Sequence, residues 1–67
     1  MLIALDTADE YLGLAAYAEG GLLAEEVWLV GQNHSVELLP GLRRLLAKLR
    51  ADIGAIRAVG VSLGPGS

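Results

Sequence analysis

The sequence has 67 residues and a net charge of −3 at pH 7, with no cysteine and a single histidine. This composition excludes disulfides and a zinc site built from histidine and cysteine. The negative charge argues against autonomous nucleic-acid binding, which requires a basic surface. No apolar run reaches the ~20 residues of a membrane span, and the N-terminal apolar segment contains Asp6 and lacks the basic region of a signal peptide. We expect a cytoplasmic protein that contacts neither nucleic acid nor membrane directly.

The chain is rich in apolar residues for its size. They make up 54% of the sequence, and the mean hydropathy is +0.51. A domain of about 60 residues buries only ~60% of the surface that its unfolded chain exposes. We therefore expect the surplus apolar surface to contact another part of a larger domain or another subunit.

The first half of the sequence is typical of β-structure. Leu2–Leu5 is a short apolar run followed by Asp6-Thr7, which predicts a buried strand that ends at this polar pair. Tyr11–Ala18 alternates between two sets of side chains, as a strand does. Glu19–Gly21 supplies residues suited to positive φ, and Leu22–Val30 alternates again. These features predict one strand followed by an antiparallel hairpin.

A helical period begins after the hairpin. Leucines recur at spacings of four and three, which predicts an amphipathic helix over Ser35–Arg50. Asn33 and Ser35 are alternative N-caps. Pro40 predicts either a late start or a bend, because proline inside a helix removes one hydrogen bond.

A second buried strand follows the helix. Asp52–Ala55 indicates a short turn-like connection, and Arg57–Leu63 is an apolar strand. A strand, a helix and a further strand in sequence imply a crossover and parallel pairing. The predicted fold class is α/β, with the order β-β-β-α-β and a mixed sheet, followed by Gly64–Ser67.

Two segments are candidates for binding a phosphate-bearing cofactor. Asp6 and Thr7 follow a predicted strand, where an acid and a hydroxyl commonly contact phosphate or Mg²⁺, but the same residues also satisfy turn backbone. Gly64 and Gly66 permit close backbone approach to an anion, but they also suit a tight turn. We keep these four residues as candidate cofactor-binding residues.

The segment before the helix contains the single histidine. His34 has no second histidine or cysteine with which to form a metal site within the chain. His34 and Ser35 are adjacent, which is poor geometry for a base and a nucleophile, so helix capping is the favoured interpretation. The sequence predicts neither a catalytic residue nor a metal ligand, and a protease function has no support.

Three segments together resemble one protein family: Ile3–Thr7, Asn33–Pro40 (Asn-His-Ser-Val-Glu-Leu-Leu-Pro) and Val59–Ser67 (Val-Gly-Val-Ser-Leu-Gly-Pro-Gly-Ser). In this order and spacing they resemble the N-terminal part of the TsaB family. These proteins, also described as glycoprotease-like, belong to the bacterial machinery that makes threonylcarbamoyladenosine in tRNA. The Phe-Thr-Gly-Leu-Arg stretch that normally continues the family pattern is absent here.

The resemblance implies an actin-like (ASKHA, ribonuclease H-like) fold, of which residues 1–67 would form an incomplete N-terminal part of a single subdomain. It also implies a non-catalytic scaffold that pairs with the catalytic TsaD-type subunit, acts with the TsaE-type ATPase, and forms a homodimer in isolation. No cofactor is implied for this chain itself, and ATP or ADP would belong to the full complex. The implied partner interface is the predicted helix, through Leu38, Leu42, Leu45 and Leu49.

The resemblance also bears on the phosphate candidate. Asp6–Asp9 stands where actin-like ATPases keep their first phosphate loop, but it lacks the glycine usual there. The alternative function is therefore an actin-like nucleotide-binding enzyme of the ATPase or kinase class, whose active site is incomplete in this chain. Binding of Mg-ATP distinguishes this alternative from the scaffold.

Overall fold

A computed structural model describes residues 1–63 of the chain, and residues 64–67 lie outside this description. The elements are strands β1 (Leu2–Ala8), β2 (Tyr11–Ala18) and β3 (Gly21–Leu29), helix α1 (His34–Leu49), a 3₁₀ turn (Ile53–Ala55) and strand β4 (Ala58–Leu63). This order confirms the predicted β-β-β-α-β plan and the α/β class.

The four strands form one mixed sheet in the order β3-β2-β1-β4. β1 pairs antiparallel with β2, and β2 pairs antiparallel with β3. The helix then carries the chain back across the sheet, so that β4 lies parallel to β1, with Leu2 opposite Ala58. The predicted hairpin and the predicted parallel pairing are both confirmed.

β1 extends further than the sequence predicts. Asp6 pairs with Gly13 and Thr7 pairs with Leu12, so the strand continues through Ala8 instead of ending at a polar turn. The turn is a two-residue loop at residues 9 and 10. The polarity of Asp6 was misleading because its side chain lies on the face of the sheet that α1 does not cover, where a charged group stays hydrated.

The β2–β3 connection is a tight hairpin with a bulge beside it. Glu19 and Gly20 have φ of 54° and 79°, the two positive values that a type I′ turn requires. Ala16 pairs with Ala24, but Tyr17 pairs with Leu22, so Leu23 is an extra residue in β3. A bulge of this kind bends an edge strand and increases its twist.

The start of α1 differs from the predicted capping. Asn33 occupies the N-cap position, but its side chain makes no capping hydrogen bond. Its carbonyl oxygen accepts the first helical bond, from the amide of Glu37 at 2.9 Å. Ser35 lies inside the helix and is not the N-cap. Of the two predicted N-caps, Asn33 therefore has the predicted position, although its side chain does not supply the expected bond.

Pro40 lies inside one continuous helix. Proline has no N–H, so the carbonyl of Val36 loses the donor that residue 40 would normally supply. Val36 is 68% exposed, which leaves water free to replace that donor. This exposure explains why a proline is tolerated in the helix interior.

The core lies between α1 and one face of the sheet. Residues paired across the sheet share a face, and on the helix-covered face the fully or almost fully buried cluster consists of Ile3, Leu14, Ala16 and Leu45. Leu38, Leu42 and Leu49 are half-buried against it. The inward leucine stripe of the helix is therefore the principal source of apolar contact between α1 and the sheet.

Trp28 fixes the position of α1 over β3. Its ring packs on the backbone of Gly41, where an added Cβ would clash with the ring. Arg44 lies over the ring, with its guanidinium carbon 4.9 Å from the ring centroid. Glu26 joins the two elements through Lys48 at 2.9 Å and Arg44 at 3.8 Å. These pairs are half-exposed, so each contributes only about 0–1 kcal/mol.

The opposite face of the sheet carries no helix in the part of the chain described. Tyr11, Tyr17 and Val27 lie on it and are 37% to 62% exposed. Asp6 and Glu25 also lie on this face. Within residues 1–63, no helix is long and apolar enough to cross a membrane.

Candidate functional site

An apolar groove runs between α1 and β4. The helix packs on β2 and β3, so it leaves the β4 side of the same face open, and Val59 and Val61 are each 61% exposed. The groove has a volume of about 270 Å³. Apart from Ser35, its lining residues are apolar: Ile3, Leu5, Leu14, Leu38, Leu39, Leu42, Ile56 and Val59. We call this feature the β4 groove.

The β4 groove brings together three segments that are far apart in the sequence. Ile3 and Leu5 of β1 form its floor, Leu38 and Leu39 of α1 form one wall, and Val59 of β4 lies on the other side. These are the three segments on which the family resemblance was based. The described parts of all three therefore surround one surface feature.

A smaller hollow continues the groove at the start of α1. It is about 200 Å³ in volume and is lined in part by Thr7, His34 and Ser35. The Nε2 atom of His34 lies 3.0 Å from the carbonyl oxygen of Tyr11, so the ring donates its Nε2–H to that oxygen. This bond ties the first turn of the helix to the start of β2. The histidine therefore has a positioning role in the fold.

The side of α1 that points away from the sheet carries a second strip, which is apolar except for one arginine. Val36 and Leu39 are 68% and 48% exposed. Together with three further exposed residues they follow one helical face, which we call the α1 outer surface: Val36, Leu39, Pro40, Arg43 and Ala47. Sequence reasoning missed this surface because the stronger leucine stripe dominates the helical period. The spacing of residues 36, 40, 43 and 47 is the signal that could have indicated it.

The four leucines predicted as the partner interface have different positions. Leu45 has no exposed surface and lies in the core, so it contacts the protein's own sheet and is not available to a partner. Leu49 is half-buried against the same core. Leu38 and Leu42 line the β4 groove, where a partner could reach them. Their role in an interface stays a prediction.

The candidate cofactor-binding residues do not form one site in the described structure. Asp6 and Thr7 are consecutive residues of a strand, so their side chains lie on opposite faces of the sheet. Asp6 faces the helix-free side beside Gly13 and Ser62, whereas Thr7 lies in the hollow near His34. Gly64 and Gly66 lie outside the described residues. Among residues 1–63, no group of three or more histidine, cysteine or acidic residues could hold a metal ion.

Comparisons with known proteins give a consistent result. No protein-family model matches the chain. The chain is 32% identical over 66 residues to the tRNA threonylcarbamoyladenosine biosynthesis protein TsaB of Bacillus subtilis. The matched region covers 98% of this chain and 29% of that protein. It superposes on YeaZ from Pseudomonas aeruginosa with a TM-score of 0.81 at 33% identity, covering 98% of this chain and 30% of that one. It also superposes on the crystal structure of an uncharacterized protein with similarity to peptidase YeaZ from Pseudomonas aeruginosa, with a TM-score of 0.82 at 33% identity.

The mixed sheet with a single covering helix defines an α/β protein with the fold of YeaZ. Over nearly its whole length the chain resembles proteins of the TsaB family. It spans about three tenths of the length of the relatives that it matches.

Proposed function

We propose that this chain acts in the biosynthesis of threonylcarbamoyladenosine in tRNA. The observation that carries the proposal is the similarity to Bacillus subtilis TsaB, which extends over nearly the whole chain. The convergence of the three family-like segments on the β4 groove supports it, because it gives those segments a common location on the surface.

The role that we propose within this process is that of a non-catalytic partner subunit. The described surface offers apolar contact area on the β4 groove and on the α1 outer surface. Exposed apolar patches of this kind are typical of protein–protein contact sites. The proposed partners are a TsaD-type and a TsaE-type subunit, with homodimers formed in isolation, and the proposed location is the cytoplasm.

We also propose that the chain is part of a single actin-like subdomain and that any ATP or ADP belongs to the full complex. The alternative, a nucleotide-binding enzyme using Asp6 and Thr7, has weaker support because these side chains face opposite sides of the sheet.

A chimera tests the proposed function. The 67-residue segment replaces its matching segment in Bacillus subtilis TsaB, and the chimera is expressed in cells depleted of the natural protein. We expect it to restore threonylcarbamoyladenosine, measured by mass spectrometry of tRNA nucleosides. A chimera that accumulates in folded form and restores none of the modified nucleoside would contradict the proposal.

Two variants of the chimera then test the surface. Leu39→Asp places a charge between the β4 groove and the α1 outer surface, so we expect at least a tenfold loss of affinity for the TsaD-type subunit in calorimetry. Leu29→Asp is the matched control, because Leu29 is also exposed, at 63%, but lies on the helix-free face. Equal affinities for the two variants would show that the partner binds elsewhere.

A further inference from the structure

The β3 edge of the sheet combines features that favour pairing with another chain. β3 spans nine residues and lies at the end of the strand order, so one side of its backbone has no strand partner within residues 1–63. Leu22, Leu23, Val27 and Leu29 are all about half to two-thirds exposed. A long edge strand with exposed apolar side chains is a template for edge-to-edge association.

The charges of β3 lie at its centre. Glu25 and Glu26 are the only charged residues of the strand. Two copies of β3 can pair antiparallel across a two-fold axis perpendicular to the sheet. The side chains of two directly opposite residues then lie on the same face of the combined sheet. The register with the greatest overlap is centred on Glu25, and it places Glu25 directly opposite its own copy. Shifting the centre by one residue places Glu26 opposite its own copy instead.

The two carboxylates are not equivalent. Glu26 lies on the helix-covered face and is neutralised in part by Lys48 at 2.9 Å. Glu25 lies on the helix-free face, is exposed, and forms no ion pair among the described residues. Like charges directly opposite each other on neighbouring strands are destabilising. The unneutralised charge of Glu25 therefore opposes the register centred on Glu25, in which the largest number of residues would pair.

The bulge at Leu23 acts in the same direction. A register centred on Ala24 moves both glutamates away from each other, but it runs through the extra residue of β3. Bulges at an edge twist the strand out of a straight ladder and disfavour continued pairing. The register centred on Glu26 overlaps over about seven residues instead of nine and has the Leu23 bulge at its end. It also brings together two Glu26 carboxylates that are only partly neutralised.

We infer that Glu25, with the Leu23 bulge, keeps the β3 edge from pairing with a second copy of this chain. The other edge differs, because β4 carries no charged residue (Ala-Val-Gly-Val-Ser-Leu). Assembly through a sheet edge is thus blocked on the β3 side, and self-association is directed to other surfaces.

The test compares two substitutions of equal charge in the 67-residue chain. Glu25→Thr removes the central carboxylate, and Glu10→Thr is the control, because Glu10 is exposed and lies in the β1–β2 loop. We expect Glu25→Thr to self-associate in sedimentation equilibrium at concentrations at least tenfold below those needed by Glu10→Thr. The β3 amides should gain protection from hydrogen exchange in the same samples. Glu25→Gln, which keeps the side-chain shape, should behave like Glu25→Thr.

Two results overturn the inference. One is equal self-association of the Glu25 and Glu10 variants. The other is stronger association of the Glu25 variants without added protection of the β3 amides, which would place the contact elsewhere. Raising the salt to 1 M, where the Debye length falls to about 3 Å, should promote β3 pairing of the parent chain more than that of Glu25→Gln.

Discussion

At the scale of single residues, three positions other than glycine within residues 1–63 hold a left-handed backbone conformation: Asp9, Glu19 and Arg50. Each lies at a turn or at a helix end. Arg50 ends α1 in a Schellman motif, in which Ala51 N–H donates to the carbonyl of Leu46 at 2.9 Å. For an L-residue with a Cβ this conformation costs roughly 1–2 kcal/mol. These residues are therefore positions where the geometry of neighbouring elements overrides local preference.

Glu19→Asn is expected to stabilise the chain. Asn-Gly is the preferred pair for a type I′ turn, and asparagine tolerates positive φ better than glutamate does. The expected gain is about 0.5–1 kcal/mol in the free energy of unfolding, measured by urea denaturation. Glu10→Asn is the matched control, because Glu10 does not have positive φ, and it should change stability by less than about 0.5 kcal/mol. A gain of equal size in both variants would argue against the turn as the cause.

At the scale of elements, the contact between α1 and β3 depends on a large aromatic side chain that packs against a glycine. Trp28 presses its ring onto Gly41, in the middle of the helix. Glycine normally weakens a helix interior by roughly 1 kcal/mol relative to alanine. Here the absence of a Cβ is what allows the helix to lie over the tryptophan.

Gly41→Ala is expected to destabilise the chain by about 1–2 kcal/mol, because the overpacking cost against Trp28 exceeds the gain in helix propensity. In a chain that already carries Trp28→Leu, the same substitution should stabilise by up to about 1 kcal/mol. Thermal unfolding of the four proteins of this double-mutant cycle provides the measurement. If Gly41→Ala has the same sign in both backgrounds, the ring does not determine the choice of glycine.

The elements also show what a sequence can predict here. The strands, the hairpin and the helix follow from alternation, turn residues and leucine spacing, which are local patterns. The end of β1 and the position of α1 over β2 and β3 do not, because they depend on the pairing of Asp6 with Gly13 and on the packing of Trp28 against Gly41. The β4 groove lies where α1 leaves the β4 side of the sheet uncovered, so it could not be predicted from helical periodicity. That Leu45 is buried whereas Leu39 is exposed likewise follows from the packing of the helix on the sheet and not from the leucine spacing.

At the scale of the whole molecule, the described part of the chain has one small core on one face of one sheet. Domains near this size are marginally stable, so each fully buried side chain carries a large share of the total. Leu45 is in the centre of that core, whereas Leu39 lies at the rim of the β4 groove. The same residue type therefore has different consequences at positions six residues apart on one helix.

Leu45→Ala is expected to cost about 2–5 kcal/mol, enough to unfold much of the population, because it leaves a cavity in the core. Leu39→Ala should cost less than about 1 kcal/mol. Circular dichroism of the two variants during urea denaturation measures both effects. Comparable losses in the free energy of unfolding would mean that Leu39 contributes to the core as much as Leu45 does.

The parallel pairing of β1 with β4 has a consequence during synthesis. Leu2 lies opposite Ala58, so β1 cannot pair with β4 until most of the described chain has been translated. At ~5–20 residues per second that wait lasts several seconds. The β1–β2–β3 meander needs only local contacts and is complete long before. A nascent chain on the ribosome thus exposes the uncharged backbone edge of Leu2–Leu5 throughout this interval, which is when a chaperone that binds extended apolar segments would recognise it.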